Sequence, residues 1–297
     1  MKIVKEKGYA KVNLFLDVVG VENGFHNLDS VVVTIDLFDL ITLTKRKDKL
    51  VTIKQAHSLY RVEETVDNNA VRAGRAFVEA FNTNGVDIVV KKQIPIGSGL
   101  GGSSADISAV LRGMAKLYEI KEDIKPIADS LGSDSGYLLT GGYARLQGRG
   151  DRVEPLNLTN KLYMVIVTPE GGVNTGECFK LCDQMKADIK VGGAENLIEK
   201  LKAKTYGQND FYNALYLPAC KINGEVEIAY NNLKNLSPRA VFMSGSGASI
   251  VGIFDELELC KWAEQKLKRL HKNVFITQSL TVAEINKPNF FTKTIYN

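Results

Sequence analysis

The chain has 297 residues, of which 44% are hydrophobic and 24% charged, with a formal net charge of +4. That length suits two domains rather than one small one, and the balance of residues is that of a folded protein with a large core. A mild positive charge without a basic block or stripe argues against a nucleic-acid binder and suits an enzyme with phosphate-bearing substrates.

From the N-terminus, Lys11 to Val19 reads as a strand, apolar at Val12, Leu14, Leu16 and Val18. Glu22-Asn23-Gly24 signals a turn. Leu28 to Thr44 is rich in β-formers, and a break near Asp36 to Asp39 divides it into two expected strands. Asn68 to Phe81 has helical spacing at Ala70, Ala73, Ala76, Phe77 and Ala80, with Asp67 or Asn68 as N-cap. Val86 to Lys92 is a short strand. Pro95 to Ser104 is a glycine–serine loop, and Ile107, Val110, Leu111, Met114, Leu117 and Tyr118 then mark one face of a helix. Ile124 to Leu131 is a further short helix, and Gly132-Ser133-Asp134 opens a segment leading to Gly141-Gly142.

Leu162 to Thr168 is an apolar strand, and the expected domain change just before it, near Leu156, divides the chain into 1–155 and 156–297. Helices are expected near Cys178 to Lys186, Ala194 to Lys202, Gly224 to Leu233 and Leu257 to Leu270. Ala240 to Phe254 holds two short strands around Ser244-Gly-Ser-Gly247. Strands and helices mix without a strict βαβ rhythm, so the fold class is α+β. Met1 to Gly8 has no apolar run, which argues against a signal peptide, and no apolar stretch reaches spanning length. A cytoplasmic location is the expectation. Cys178, Cys182, Cys220 and Cys260 lack zinc-site spacing and read as small buried thiols.

The segment from Pro95 to Ser104 carries the clearest chemistry. Phosphates need many backbone N–H donors aimed one way, and glycines let the backbone come close. A helix N-terminus adds unpaired N–H groups and the positive end of a dipole. Gly97, Gly99, Gly101 and Gly102, then Ser103, Ser104 and an amphipathic helix, combine these features. No lysine follows the glycines, so this is not a Walker loop. Asp106 could cap the helix, and Ser103 or Ser104 could reach a magnesium ion.

Three blocks then stand in order: the Ala10-Lys-Val-Asn-Leu-Phe-Leu16 strand, the glycine loop, and Phe242-Met-Ser-Gly-Ser-Gly-Ala248. With Gly24-Phe-His26, Asp67-Asn68, Leu131-Gly-Ser-Asp134, Gly148-Arg-Gly150 and Asn209-Asp210, the chain resembles the GHMP kinases over almost its whole length. Within them it is most similar to the branch acting on a cytidine diphosphate-linked alcohol of non-mevalonate isoprenoid synthesis. The resemblance implies a two-domain α+β kinase, with an N-terminal ATP-binding domain like domain 2 of ribosomal protein S5 and a ferredoxin-like C-terminal domain whose last strand could return to the first. Phe25 stands where the branch usually has tyrosine, two glycines rather than three precede Ser103-Ser104, and Gly136 replaces a usual proline.

By that resemblance Asp134 takes the proton of the acceptor hydroxyl and Lys11 lies beside it. On residues alone, Lys11 reads rather as a surface lysine of a strand and Asp134 as a turn or cap aspartate, and the resemblance reverses that reading. Asn68, Lys92, Pro95, Gly97, Ser98, Gly99, Leu100, Gly101, Gly102, Ser103 and Ser104 are the expected ATP contacts. Asn13, on the same strand face as Lys11, joins Phe25, His26, Gly245 and Ser246 on the acceptor side. The implied co-substrate is ATP with Mg2+, and no nucleic acid or membrane partner is expected of a monomer or homodimer. Another small alcohol as acceptor, or a catalytically silent nucleotide-binding relative, stays open.

Overall fold

The computed structural model describes residues 2–22, 24–185 and 189–287. Two long strands, β1 (Ile3–Glu22) and β2 (Phe25–Lys45), form an antiparallel hairpin that is the spine of the first half. β3 (Thr52–Gln55), α1 (Asn69–Phe81) and β4 (Val86–Lys91) follow. Asn68 is the N-cap of α1, its side chain accepting from the Ala70 N–H. Next come α2 (Gly102–Tyr118), α3 (Lys125–Leu131), α4 (Ser135–Leu138), β5 (Tyr143–Gly148) and β6 (Arg152–Leu156).

The expected break in β2 is absent. The strand instead changes partner: residues 28–33 pair with β5 and residues 40–45 with β4, while the pairing with β1 slips between Tyr9 and Lys11. The acidic stretch from Asp36 marks that change of partner rather than an end of pairing. Helices α1, α2 and α3 cover this sheet, where Ile107, Val110, Leu111 and Met114 of α2 pack with Ile41, Leu43, Val71 and Phe77. Each such fully buried aliphatic side chain contributes about 1.5–3 kcal/mol.

The second half contains β7 (Tyr163–Val167), α5 (Thr175–Met185), α6 (Gly193–Ala203), β8 (Tyr212–Asn213), α7 (Tyr216–Ile222), α8 (Glu225–Lys234), β9 (Ala240–Met243), β10 (Ile250–Phe254), α9 (Leu257–Leu267), β11 (Val274–Gln278) and α10 (Val282–Ile285). Lys186, the expected end of α5, lies outside the described residues. Its four-stranded antiparallel sheet has the order β11-β7-β10-β9, the ferredoxin-like arrangement. Both faces of that sheet are covered, so its strands are nearly continuous apolar runs. Val165, Val167, Val241 and Met243 face α8 and α9. Met164, Ile166, Phe242 and Val251 face the first half and share one core with Val12, Leu14 and Val31 to Val33.

Two connections cross between the halves. β8 adds to the first sheet in parallel beside Phe15 and Leu16. After β11 the chain returns to the first half through a single bridge, Ile35 to Ser279, and then α10, whose Val282 and Ile285 pack against Gly142 and Gly141. Cys178, Cys182 and Cys260 are buried free thiols, and burial pushes Cys178 up to about 12. His271 is half-buried, its Nε2 meeting Asn232 Nδ2 at 3.1 Å. Among the described residues no helix is long and apolar enough to cross a membrane.

Candidate active site

Between the two halves lies a cavity of about 1250 Å³, lined by both glycine loops and by Lys11, Asn13, Asn68, Lys92, Asp106 and Asp134. The first loop takes its shape from glycine chemistry: Gly97, Gly99 and Gly101 have φ of 63°, 75° and 73°. Gly101 is the N-cap of α2 and no side chain caps the helix. The N–H groups of Gly102, Ser103 and Ser104, in the first turn, therefore have no carbonyl one turn back. Ser98 Oγ donates to Pro95 O at 2.7 Å and closes the turn. Leu100 departs from expectation: its side chain is buried in the core, and its part in the loop is a carbonyl that accepts the Lys11 N–H at 3.0 Å.

Lys11 and Asp134 meet. Lys11 Nζ lies 3.2 Å from Asp134 Oδ2, and it donates to Asn13 Oδ1 at 2.6 Å. Strand alternation puts Lys11 and Asn13 on one face and Val12 and Leu14 on the core face. Asn13 is fixed in turn, its Nδ2 donating to Ser30 Oγ at 2.8 Å. Asp134 sits at the start of α4 without capping it, which leaves its carboxylate to Lys11. The loop touches this pair directly. A Cβ on Gly101 would stand 3.1 Å from Lys11 Cγ and 3.6 Å from Asp134 Oδ2.

Lys92 is buried and doubly paired. Its Nζ donates to Asp39 Oδ2 at 2.5 Å, to Asp106 Oδ2 at 2.6 Å and to Gly102 O at 3.3 Å. Burial alone would lower the Lys92 ammonium, and the two carboxylates outweigh it and leave it raised. Burial raises Asp106, with Lys92 opposing and Asp39 reinforcing. Asp106 thus does not cap α2 as its position in the sequence suggests; it ties the first turn of the helix to β2. Its Oδ1 is buried without a partner among the described residues.

The second glycine loop leans on the first. Ser244 Oγ accepts the Asn13 N–H at 3.2 Å and donates to Gly99 O at 3.1 Å. A Cβ on Gly99 would fall 2.1 Å from Ser244 O. Asn213 Nδ2 holds Met243 O and Gly245 O at 2.7 and 2.8 Å, and Ser246 Oγ bonds Thr175 Oγ1 at 2.9 Å. Phe25 and His26 stand one side chain back from the cavity wall. The Arg149 guanidinium lies over the Phe25 ring at 3.7 Å, and His26 bonds Asp183 at 2.9 Å and lies tilted against Phe179, ring centroids 4.6 Å apart. Arg149 and Phe179 do line the cavity.

Sequence reasoning missed Asp39, Ser30, Asn213 and Thr175, all polar residues whose partners are remote in the chain. Asn69 was also missed; its Nδ2 donates to Ser103 Oγ. A buried polar residue in a β-run, as Asp39 is, was the one available signal. Asp210 is structural, pairing with Lys200 at 2.5 Å and accepting the Gly207 N–H at 2.8 Å. Among the described residues no group of three or more His, Cys, Asp or Glu could hold a metal. The oxygens beside the loop, the Ser103 and Ser104 hydroxyls and the unpartnered Asp106 Oδ1, are the hard donors that suit Mg2+.

A glycine loop on a helix N-terminus, lying against a lysine–aspartate pair in one cavity, is the layout of a small-molecule phosphotransferase. The family model described as GHMP kinases N terminal domain matches residues 68–143. The 4-diphosphocytidyl-2-C-methyl-D-erythritol kinase of Clostridium beijerinckii is 31% identical over 284 residues, covering 93% of this chain and 100% of the relative. That of Clostridium tetani is 32% identical, with coverage of 93% and 100%. A crystal structure of 4-(cytidine 5'-diphospho)-2C-methyl-D-erythritol kinase superposes with a TM-score of 0.79 at 27% identity, covering 93% of this chain and 99% of that one. A mevalonate kinase from L. major shares the fold at a TM-score of 0.73 and 15% identity. The chain belongs to the GHMP kinases, in the family of 4-diphosphocytidyl-2-C-methyl-D-erythritol kinases.

Proposed function

We propose that this protein transfers the γ-phosphate of ATP to the 2-hydroxyl of 4-diphosphocytidyl-2-C-methyl-D-erythritol. The observation that carries the reading is the 3.2 Å contact of Lys11 Nζ with Asp134 Oδ2, directly against Gly101 of the phosphate loop. The acceptor oxygen forms its bond to the γ-phosphorus while the bond from phosphorus to the β–γ bridging oxygen breaks, and ADP leaves. Asp134 takes the hydroxyl proton. Lys11, held by Asn13, faces the negative charge that builds on the transferring oxygens. The amides of Gly102, Ser103 and Ser104 hold the phosphate chain. The Ser103 and Ser104 hydroxyls would hold Mg2+, which would neutralise phosphate charge.

On this reading residues 1–155 carry the ATP side and 156–297 close the acceptor side with Gly245 and Ser246. The reaction belongs in the cytoplasm, where ATP is available. The test is ADP release with the cytidyl substrate against a panel of other small alcohols. Wild type turns over the cytidyl substrate in preference. Asp134→Asn loses kcat by about 10² to 10⁴ while the KM for ATP stays within about twofold. Equal turnover of wild type and Asp134→Asn would end the assignment of the base, and a wild type silent toward the cytidyl substrate would end that of the acceptor.

A further inference from the structure

Asp134 stands at the start of α4, a helix of four residues. A helix that short does not hold itself in water, so its place is set by what it is tied to. Two ties run to α2: Ser108 Oγ donates to Ser135 O at 2.8 Å, and Arg112 Nη1 donates to Leu138 O at 2.7 Å. The tie at the level of Lys11 is made by Tyr137.

Lys11 lies where its own strand pair is least regular. The register of β1 on β2 shifts between Tyr9 and Lys11, and pairing resumes with Lys11 opposite Thr34. Residues directly opposite in an antiparallel pair share a face, so Thr34 stands beside Lys11 on the face that meets Asp134. Tyr137 is buried, and its hydroxyl donates to Gly142 O at 2.7 Å. With that proton used, Thr34 Oγ1 is the donor in the 2.9 Å bond to Tyr137 Oη. Thr34 Oγ1 accepts the Gly142 N–H at 3.0 Å, and Gly142 O accepts the Thr34 N–H at 3.0 Å. The Thr34 carbonyl is held as well, by the Leu280 N–H at 2.8 Å. Three residues thus close a network in which each hydroxyl gives its proton once. Burial raises the Tyr137 hydroxyl well above the ordinary tyrosine range, so it stays a donor at working pH. A phenylalanine ring would fill the same core; the hydroxyl is what reaches β2.

We propose that Tyr137 is a positioning residue that sets the Lys11–Asp134 pair. It follows Asp134 by about one turn of α4. A hydroxyl fixed on Thr34 therefore fixes the carboxylate against the lysine that Thr34 pairs with. Tyr137 stands outside the cavity lining and acts through Asp134. The proposal rests on the reading of Asp134 as the base.

The test is a double-mutant cycle read as ADP release, with the alcohol that wild type turns over fastest, at a temperature where circular dichroism shows each variant folded. Tyr137→Phe keeps the ring and loses the hydroxyl. It lowers kcat by about tenfold, the effect of a misplaced base, while the KM for ATP and for the alcohol stay within about twofold. In the Asp134→Asn background the same change costs less than about twofold, because the two residues act as a unit. Thr34→Val repeats the kcat loss from the other side of the bond, and Thr34→Ser, which keeps a hydroxyl, stays near wild type. A packing role alone would lower the melting temperature and leave kcat in place. Wild-type kcat in Tyr137→Phe, or an equal loss in both backgrounds, overturns the positioning role while the base stands. Where Tyr137→Phe fails to fold, Thr34→Val against Thr34→Ser decides on the same terms. A wild type that turns over no alcohol, or an Asp134→Asn as active as wild type, overturns the base and the positioning role with it.

Discussion

Gly101 does two jobs that no other residue type can share. Its φ of 73° lies in the left-handed region, and its missing side chain leaves room for Lys11 Cγ and Cε, which a Cβ would approach to 3.1 and 3.2 Å. Gly101→Ala therefore meets backbone strain of about 1–2 kcal/mol and displaces the Lys11 side chain. We expect kcat to fall by about tenfold or more, with a lower melting temperature, by steady-state kinetics and thermal denaturation. An alanine variant with wild-type kcat would separate the loop from Lys11. The value of this position is readable in the sequence because a glycine's freedom is local. The partners of Lys92 are not, since Asp39 lies 53 residues away and Asp106 lies 14 away. From the chain alone Asp106 is a residue near a helix start and nothing more. Only β2 passing beneath α2 turns it into half of a buried clamp.

Among the elements, α1 and α2 are legible because each has a wide apolar stripe, and the cap at Asn68 uses chemistry contained within two residues. β8 is not, for it is two residues long and exists only because β1 offers it an edge. β11 has just Val274 and Thr277 buried, too thin a pattern to detect. α10 is a four-residue helix held by a capping box, in which Glu284 accepts the Thr281 N–H at 2.9 Å while the Glu284 N–H bonds back to Thr281 Oγ1. The Thr281 N–H first, then Lys161, hold the Glu284 carboxyl down to about 2. A depressed carboxyl contributes stability that is present above its unfolded range, near 4.5, and is lost as pH falls toward 2. Solvent screening keeps the contribution small, about 0.5–1 kcal/mol. Glu284→Gln should thus lower stability at pH 7 and unfold less steeply below pH 4.5 than wild type does. Parallel acid-unfolding curves for the two proteins would rule the capping role out.

At the scale of the molecule, the two halves are joined by a shared core and by two glycine loops in contact. Alternate residues of β7, β9 and β10 face the first half, so the passage from β6 to β7 is a change of sheet rather than a gap between separate cores. Ser244 is the smallest link in that joint. It is fully buried, and its hydroxyl accepts from Asn13 N and donates to Gly99 O, bridging the lysine strand, the phosphate loop and the second loop. Ser244→Ala leaves a buried N–H and a carbonyl short of a partner, at a cost of about 1–3 kcal/mol. In urea the midpoint should fall while the m-value holds, because the surface exposed on unfolding is unchanged. Since Asn13 holds Lys11, and Gly99 belongs to the phosphate loop, kcat should fall and the KM for ATP should rise together. The shared core also demands a single cooperative transition with the same midpoint by fluorescence and by circular dichroism. Two separated transitions in the wild type would mean that the halves fold apart, and the cavity between them would then lack the rigid walls that in-line transfer needs.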